Sequence, residues 1–133
     1  MASKPRTFRP THLGTVKQEQ VAYEVRRGSA RDRGYTSRWD KAAATFKRDN
    51  PLCIGCEAVD RVELTKVVDH TIPHKGDQTL FWDKDNWQSC CERHHDIVKQ
   101  YLERQFLQGL LSEADLRLTS PAAKAATLRL MPR

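Results

Sequence analysis

The chain has 133 residues, 38% of them hydrophobic and 30% charged, with a formal net charge of +6. That is the size of one domain with one modest core. No apolar run approaches the roughly 20 residues that a bilayer span needs, and the basic, polar N-terminus carries no apolar leader, so the expectation is a soluble, cytoplasmic protein without a membrane partner.

The charge is concentrated at one end. Residues 1–38 hold nine Lys and Arg, among them Arg26, Arg27, Arg31, Arg33 and Arg38, against Glu19, Glu24 and Asp32. The rest of the chain is balanced, with 14 basic and 14 acidic residues. A basic arm on a neutral body is the footprint of a nucleic-acid partner, because Lys and Arg displace counterions condensed on the phosphate backbone. Residues 1–37 are therefore read as a partly flexible arm that binds DNA through Arg26, Arg27, Arg31 and Arg33, with Arg38 beside it, the bland alternative being a solvated tail. His12, within the arm, reads as a surface residue.

After the arm, Ser37 with Asp40 predicts a capping-box-like helix start. Trp39, Ala42, Ala43 and Phe46 recur at helical spacing and predict an amphipathic helix over 38–49, ended by Asn50-Pro51. In Leu52-Cys53-Ile54-Gly55-Cys56, the glycine suits a tight knuckle around a metal-bound sulfur. Alternation over Arg61–Val68 predicts a strand that delivers Asp69 and His70 at its end. Next comes a loop, His74-Lys75-Gly76-Asp77-Gln78, with Leu80, Phe81, Trp82 and Trp87 as apolar anchors and a second strand expected near 86–89. Ile97, Val98, Tyr101, Leu102 and Phe106 predict a helix over 91–108, closed by Gly109. Ser112 and Ser120-Pro121 mark two more helix starts in a helical or flexible tail, residues 109–133.

Four cysteines in a cytosolic chain are more often thiolate ligands than disulfide partners. Cys53-x-x-Cys56 and Cys91-x-x-His94 together offer a soft tetrahedral set for a structural zinc. Cys90 competes with Cys91 for that site, but its position beside Trp87 reads as core. A harder, more open site is suggested by Asp69 and His95, an oxygen and an imidazole suited to one Mg²⁺ or Mn²⁺ ion with positions left free. His70 follows Asp69 and so points to the opposite side of the strand end, where it could reach an attacking water. His74 lies in the loop near this site, where it could touch phosphate or metal, and Lys75 reads as a solvated loop charge.

The order Asp-His-x-x-Pro, then Asn86, then a histidine nine residues later, framed by Cys-x-x-Cys and Cys-x-x-His, resembles the HNH endonucleases. The resemblance covers roughly residues 35–105, and Arg27 to Trp39 also resembles a segment of small HNH proteins often encoded by phages. It implies a small α+β domain of the ββα-metal (His-Me finger) type over 38–108, with flanking helices. Its implied roles are general base for His70, loop-fixing amide for Asn86, and catalytic metal ligands for Asp69 and His95. Lys99 matches a position that is histidine or lysine in the family, and is assigned here to phosphate contact. His94 stands where zinc-bound members usually have a fourth cysteine. That leaves open which of His94 and His95 faces which metal, with the spacing from Asn86 favouring His95 for catalysis.

The function expected is metal-dependent hydrolysis of DNA phosphodiester bonds by a monomer or weak dimer. Two alternatives compete with it: a non-catalytic, zinc-stabilised nucleic-acid-binding module, and a nuclease active only within a phage terminase or packaging complex.

Overall fold

The computed structural model describes residues 33–133. Arg26, Arg27, Arg31 and His12 lie outside the described residues. In chain order come helix α1 (Ser37–Asp49), short helix α2 (Ile54–Glu57), strand β1 (Val67–His70), helix α3 (Gln78–Trp82), a 3₁₀ turn at Lys84–Asn86 and strand β2 (Trp87–Cys90). A π-helical stretch (His94–Lys99) then runs into helix α4 (Gln100–Leu107), followed by a 3₁₀ turn (Glu113–Leu116) and helix α5 (Pro121–Leu130). The result is a small α+β fold in which, among the described residues, the sheet is an antiparallel pair.

Helix α1 forms where its periodicity predicts, and buries Trp39 with Ala42, Ala43 and Phe46 packed beside it. Its start differs from expectation. Thr36, not Ser37, is the N-cap, and no side chain caps the helix. The capping box therefore does not form, although Asp40 still lies in the first turn, where it complements the helix dipole. At the far end the Asn50 amide groups turn back on the Phe46 carbonyl, and Pro51 cannot extend the ladder.

The predicted strand over 61–68 shrinks to Val67–His70. Upstream, the chain is tied instead to the cysteine knuckle: Cys53 N donates to Glu63 O and Thr65 N to Pro51 O, both at 2.8 Å. Val62 and Leu64, which gave the alternation, point to solvent at 77% and 60% exposure.

The register pairs Asp69 with Gln88 and His70 with Trp87. Because successive strand residues face opposite ways, Val68, His70 and Trp87 look toward α1 and α3, where Trp39, Phe81 and Trp87 form an aromatic cluster. Val67, Asp69, Gln88 and Cys90 look toward the other face, where Cys90, Val98, Leu102, Leu116 and Leu118 form the main core. Cys90 is core, as expected, but on the opposite face of the sheet from Trp87.

The segment after Gln108 is part of this core and not a loose tail. Ser112 and Asp115 form a capping box, and Ser120 caps α5 by accepting from Ala123 N at 3.1 Å, with Pro121 in the first turn. Leu116, Leu118, Ala123 and Ala126 are buried against the residues that surround the cysteines. No helix among the described residues is long and apolar enough to cross a membrane.

Candidate functional site

Helix α2 and the start of the π-helical stretch bring Cys53, Cys56, Cys91 and His94 together, with one ligand atom from each within 4.8 Å of the others. His94 Nδ1 lies 3.5, 3.4 and 3.4 Å from the sulfurs of Cys53, Cys56 and Cys91, and the Cys56 and Cys91 sulfurs are 3.9 Å apart. A tetrahedral ion with Zn–S near 2.3 Å and Zn–N near 2.0 Å needs ligand separations of about 3.5–3.8 Å, so the four atoms fit such an ion.

Local backbone builds the cradle. Cys56 N donates to Cys53 Sγ and His94 N to Cys91 Sγ, each at 3.4 Å. Gly55 is required by close approach, since a Cβ there would sit 2.4 Å from Cδ2 of the His94 ring. Burial raises the Cys53 thiol, but its contact with the His94 imidazole and hydrogen bonds with nearby backbone outweigh it and bring Cys53 to about 6. Burial, and then the neighbouring sulfurs, push Cys56 up, and burial also pushes up Cys91. Three thiolates cannot share this pocket without a cation, which is the chemistry of a structural metal site such as zinc.

Thr127 on α5 completes this site, and nothing in the sequence pointed to it. Its hydroxyl donates to Ala123 O at 2.8 Å, so its oxygen accepts from His94 Nε2 at 3.1 Å. The proton on Nε2 leaves Nδ1 with a lone pair facing the sulfurs. The open choice between the two adjacent histidines is thereby resolved for this site: His94 joins the cysteines and His95 does not.

On the other side of the sheet end lies a cleft of about 1020 Å³, lined by Asp69, His70, His95, Tyr35, His74 and Arg33 among others. His95 Nδ1 donates to Asp96 at 3.0 Å, which turns Nε2 toward Asp69 Oδ1, 3.9 Å away. Adjacent positions of an octahedral ion with ligand distances of about 2.1 Å lie roughly 3 Å apart. Asp69 and His95 are thus the residues here that could hold a divalent ion, through one oxygen and one imidazole, once the two donors close by about 1 Å.

His70 is buried, with its ring stacked on Trp39 at 5.1 Å and 25°. Its Nε2 donates to Phe81 O at 2.9 Å, a carbonyl that Trp87 Nε1 also engages at 2.7 Å. That bond fixes the tautomer and leaves Nδ1 as an acceptor. Among the described residues Nδ1 has no protein partner and is not sealed from solvent. Burial holds the His70 pKa below its ordinary value despite the Phe81 carbonyl and the Asp69 charge, so the ring is neutral and able to take a proton at pH 7.

Asn86 holds the loop that carries this carbonyl. Its Oδ1 accepts from Ile72 N at 2.8 Å, and its Nδ2 donates to Ile72 O at 3.0 Å and Leu80 O at 3.2 Å. His74 sits in the same loop: Gly76 N donates to its Nδ1 at 3.0 Å, and its Nε2 lies 3.1 Å from the Tyr35 hydroxyl. Lys75 is exposed at the rim.

One assignment is corrected by the geometry. Lys99 is not a phosphate contact, because it is fully buried and its ammonium is engaged by Asp69 Oδ2 at 3.1 Å, His70 O at 2.9 Å and Glu103 Oε1 at 2.7 Å. The signal for this was present in sequence, since Lys99 and Glu103 are an i,i+4 pair of opposite charge. Of the arginines expected to meet DNA, Arg33 lines the cleft, while Arg38 lies over the Trp82 ring at 4.1 Å. Comparisons of the chain with protein-family models, curated proteins and solved structures find no match.

Proposed function

We propose that the chain is a metal-dependent endonuclease of the HNH type, hydrolysing DNA phosphodiester bonds to leave 5′-phosphate and 3′-hydroxyl ends. On this reading β1, β2 and the π-helical stretch that runs into α4 form a ββα-metal unit, and the Cys₃His cluster is its structural zinc site. One observation carries the proposal. His70, with Nε2 committed to a backbone carbonyl and Nδ1 open, shares a cleft with the Asp69–His95 pair.

The chemistry follows from those atoms. Nδ1 of His70 takes a proton from water as the water oxygen bonds to phosphorus and the bond to the 3′-oxygen breaks; the leaving oxygen is protonated from solvent. Trp39 and the Phe81 carbonyl keep the ring from turning during that transfer, and Asn86 keeps the carbonyl in place. Mg²⁺ or Mn²⁺ bound by Asp69 and His95 would supply charge stabilisation at the phosphate. Arg33 and Lys75, both lining the cleft, add positive charge for a polyanion. DNA is the partner this reading requires. Nicking by single molecules with one site each belongs to this reading, while activity confined to a phage packaging complex remains its rival.

Supercoiled plasmid tests it. Zinc-loaded wild type with Mg²⁺ or Mn²⁺ is expected to give open-circle DNA, with EDTA abolishing the conversion and His70→Ala lowering it by about 10²–10⁴-fold. Plasmid that stays supercoiled with folded, zinc-loaded wild type in every divalent ion would replace the stand-alone enzyme with the nucleic-acid-binding module or with a nuclease that waits for its packaging partner.

A further inference from the structure

A fully buried lysine beside a candidate cation site calls for a physical account. Taking an ammonium out of water costs several kcal/mol unless it is paired and bonded, and Lys99 uses all three of its donors on Asp69, Glu103 and the His70 carbonyl. The two carboxylates and the one ammonium leave a single negative charge. Asp69 is also unevenly engaged: its Oδ2 takes both Lys99 at 3.1 Å and the Gln88 amide at 2.9 Å, while its Oδ1 faces His95. Gln88 cannot turn away, because its amide nitrogen also meets Leu116 O at 3.3 Å and its oxygen accepts from Leu118 N at 2.9 Å.

We infer that Lys99 is a positioning residue that withholds Asp69 Oδ2, so that the carboxylate offers a divalent ion one oxygen only and the protein alone binds that ion weakly. The inference rests on the proposed nuclease reading and deepens it, since a site with few protein ligands and little net charge leaves coordination for a substrate phosphate. Removing the lysine would free one lone pair of Oδ2, the Gln88 amide keeping the other, and would double the local negative charge. A divalent ion a few ångströms away would then bind on the order of tenfold more tightly, or more. A purely structural lysine predicts the reverse, because its loss would loosen the site.

The experiment is Mn²⁺ binding to the zinc-loaded full chain without DNA, read from the free-ion signal in electron paramagnetic resonance. Wild type, Lys99→Met, Glu103→Gln and Asp69→Asn are compared, with circular dichroism and zinc content confirming the fold. Lys99→Met is expected to tighten Mn²⁺ binding about tenfold or more while plasmid nicking falls. Glu103→Gln is expected to weaken binding several-fold. Unchanged or weaker binding in folded Lys99→Met, with Asp69→Asn abolishing binding, overturns the role of Lys99 and leaves the nuclease reading standing. Binding that is the same in wild type and Asp69→Asn removes the metal site, and both ideas fall. If Lys99→Met does not fold, Glu103→Gln decides, and unchanged or tighter binding there overturns the inference.

Discussion

A histidine can bind a metal through Nδ1 only while that nitrogen carries no proton, so the group that holds the proton on Nε2 is part of the site. For His94 that group is the Thr127 oxygen, whose own proton goes to Ala123 O at 2.8 Å. Replacing Thr127 with Val keeps the shape and removes the acceptor. Loss of such an outer partner typically costs 10–100-fold in metal affinity, and Thr127→Val is expected to fall in that range in competition with a chromophoric zinc chelator. Affinity equal to wild type would show that the ring is held by Gly55 and the sulfurs alone. The ligands themselves were legible from their matching two-residue gaps, because a metal imposes spacing on its ligands. Thr127 was not, because its partner is 33 positions away and threonine carries many roles in helices. Lys99 was misassigned for a related reason: a lysine on a helix near a phosphate site reads as a contact unless its burial is known.

The segment between the two strands, which carries α3, is held at both of its ends by Asn86. Asn86 makes three bonds to the Ile72 and Leu80 backbone, and its own carbonyl accepts from Thr71 N at 2.7 Å. Asn86→Ala is expected to raise hydrogen exchange through residues 72–81, where Phe81 O meets His70, and to lower plasmid nicking while zinc content stays at one per chain. Exchange rates that match wild type would assign Asn86 no part in holding the loop. Elements that bury one face were readable in the sequence: α1 through Trp39, Ala42, Ala43 and Phe46, and the helix after Cys91 through Val98 and Leu102. The strand over 61–68 was misplaced because Val62 and Leu64 imitate a half-buried alternation while the backbone is bonded to the knuckle. Nor does periodicity announce a π-helical stretch over His94–Lys99, since the one-residue offset leaves the apolar pattern nearly unchanged. The packing of the last segment was also hidden; the weak amphipathic pattern of α5 gave no hint that its Ala126, with Leu116 and Leu118 ahead of it, finishes the main core.

At the scale of the molecule, two different metals would answer two different questions. The Cys₃His cluster ties α2 to the start of the long helix, 35 residues on from Cys56 to Cys91, and α5 closes over it through Thr127. The core around it consists largely of the cysteines and a handful of aliphatic residues. A structural zinc supplies apparent binding energy of about 10–16 kcal/mol, which matches or exceeds the roughly 5–15 kcal/mol by which whole domains are stable. Stripping zinc under reducing conditions should therefore unfold the chain as a unit. Trp39, Trp82 and Trp87 sit in one aromatic cluster across the sheet from the cysteines, so their near-ultraviolet circular dichroism reports whether the loss crosses the sheet. The expected outcome is disappearance of that signal together with the far-ultraviolet helical signal, and recovery of both on adding one equivalent of zinc. Withdrawing only Mg²⁺ or Mn²⁺ should leave both signals intact, because Asp69 stays bonded to Lys99 and Gln88 without the ion. An apo form that keeps its tryptophan signal would mean that the aromatic face folds by itself and that the zinc site organises only α2, α4 and α5.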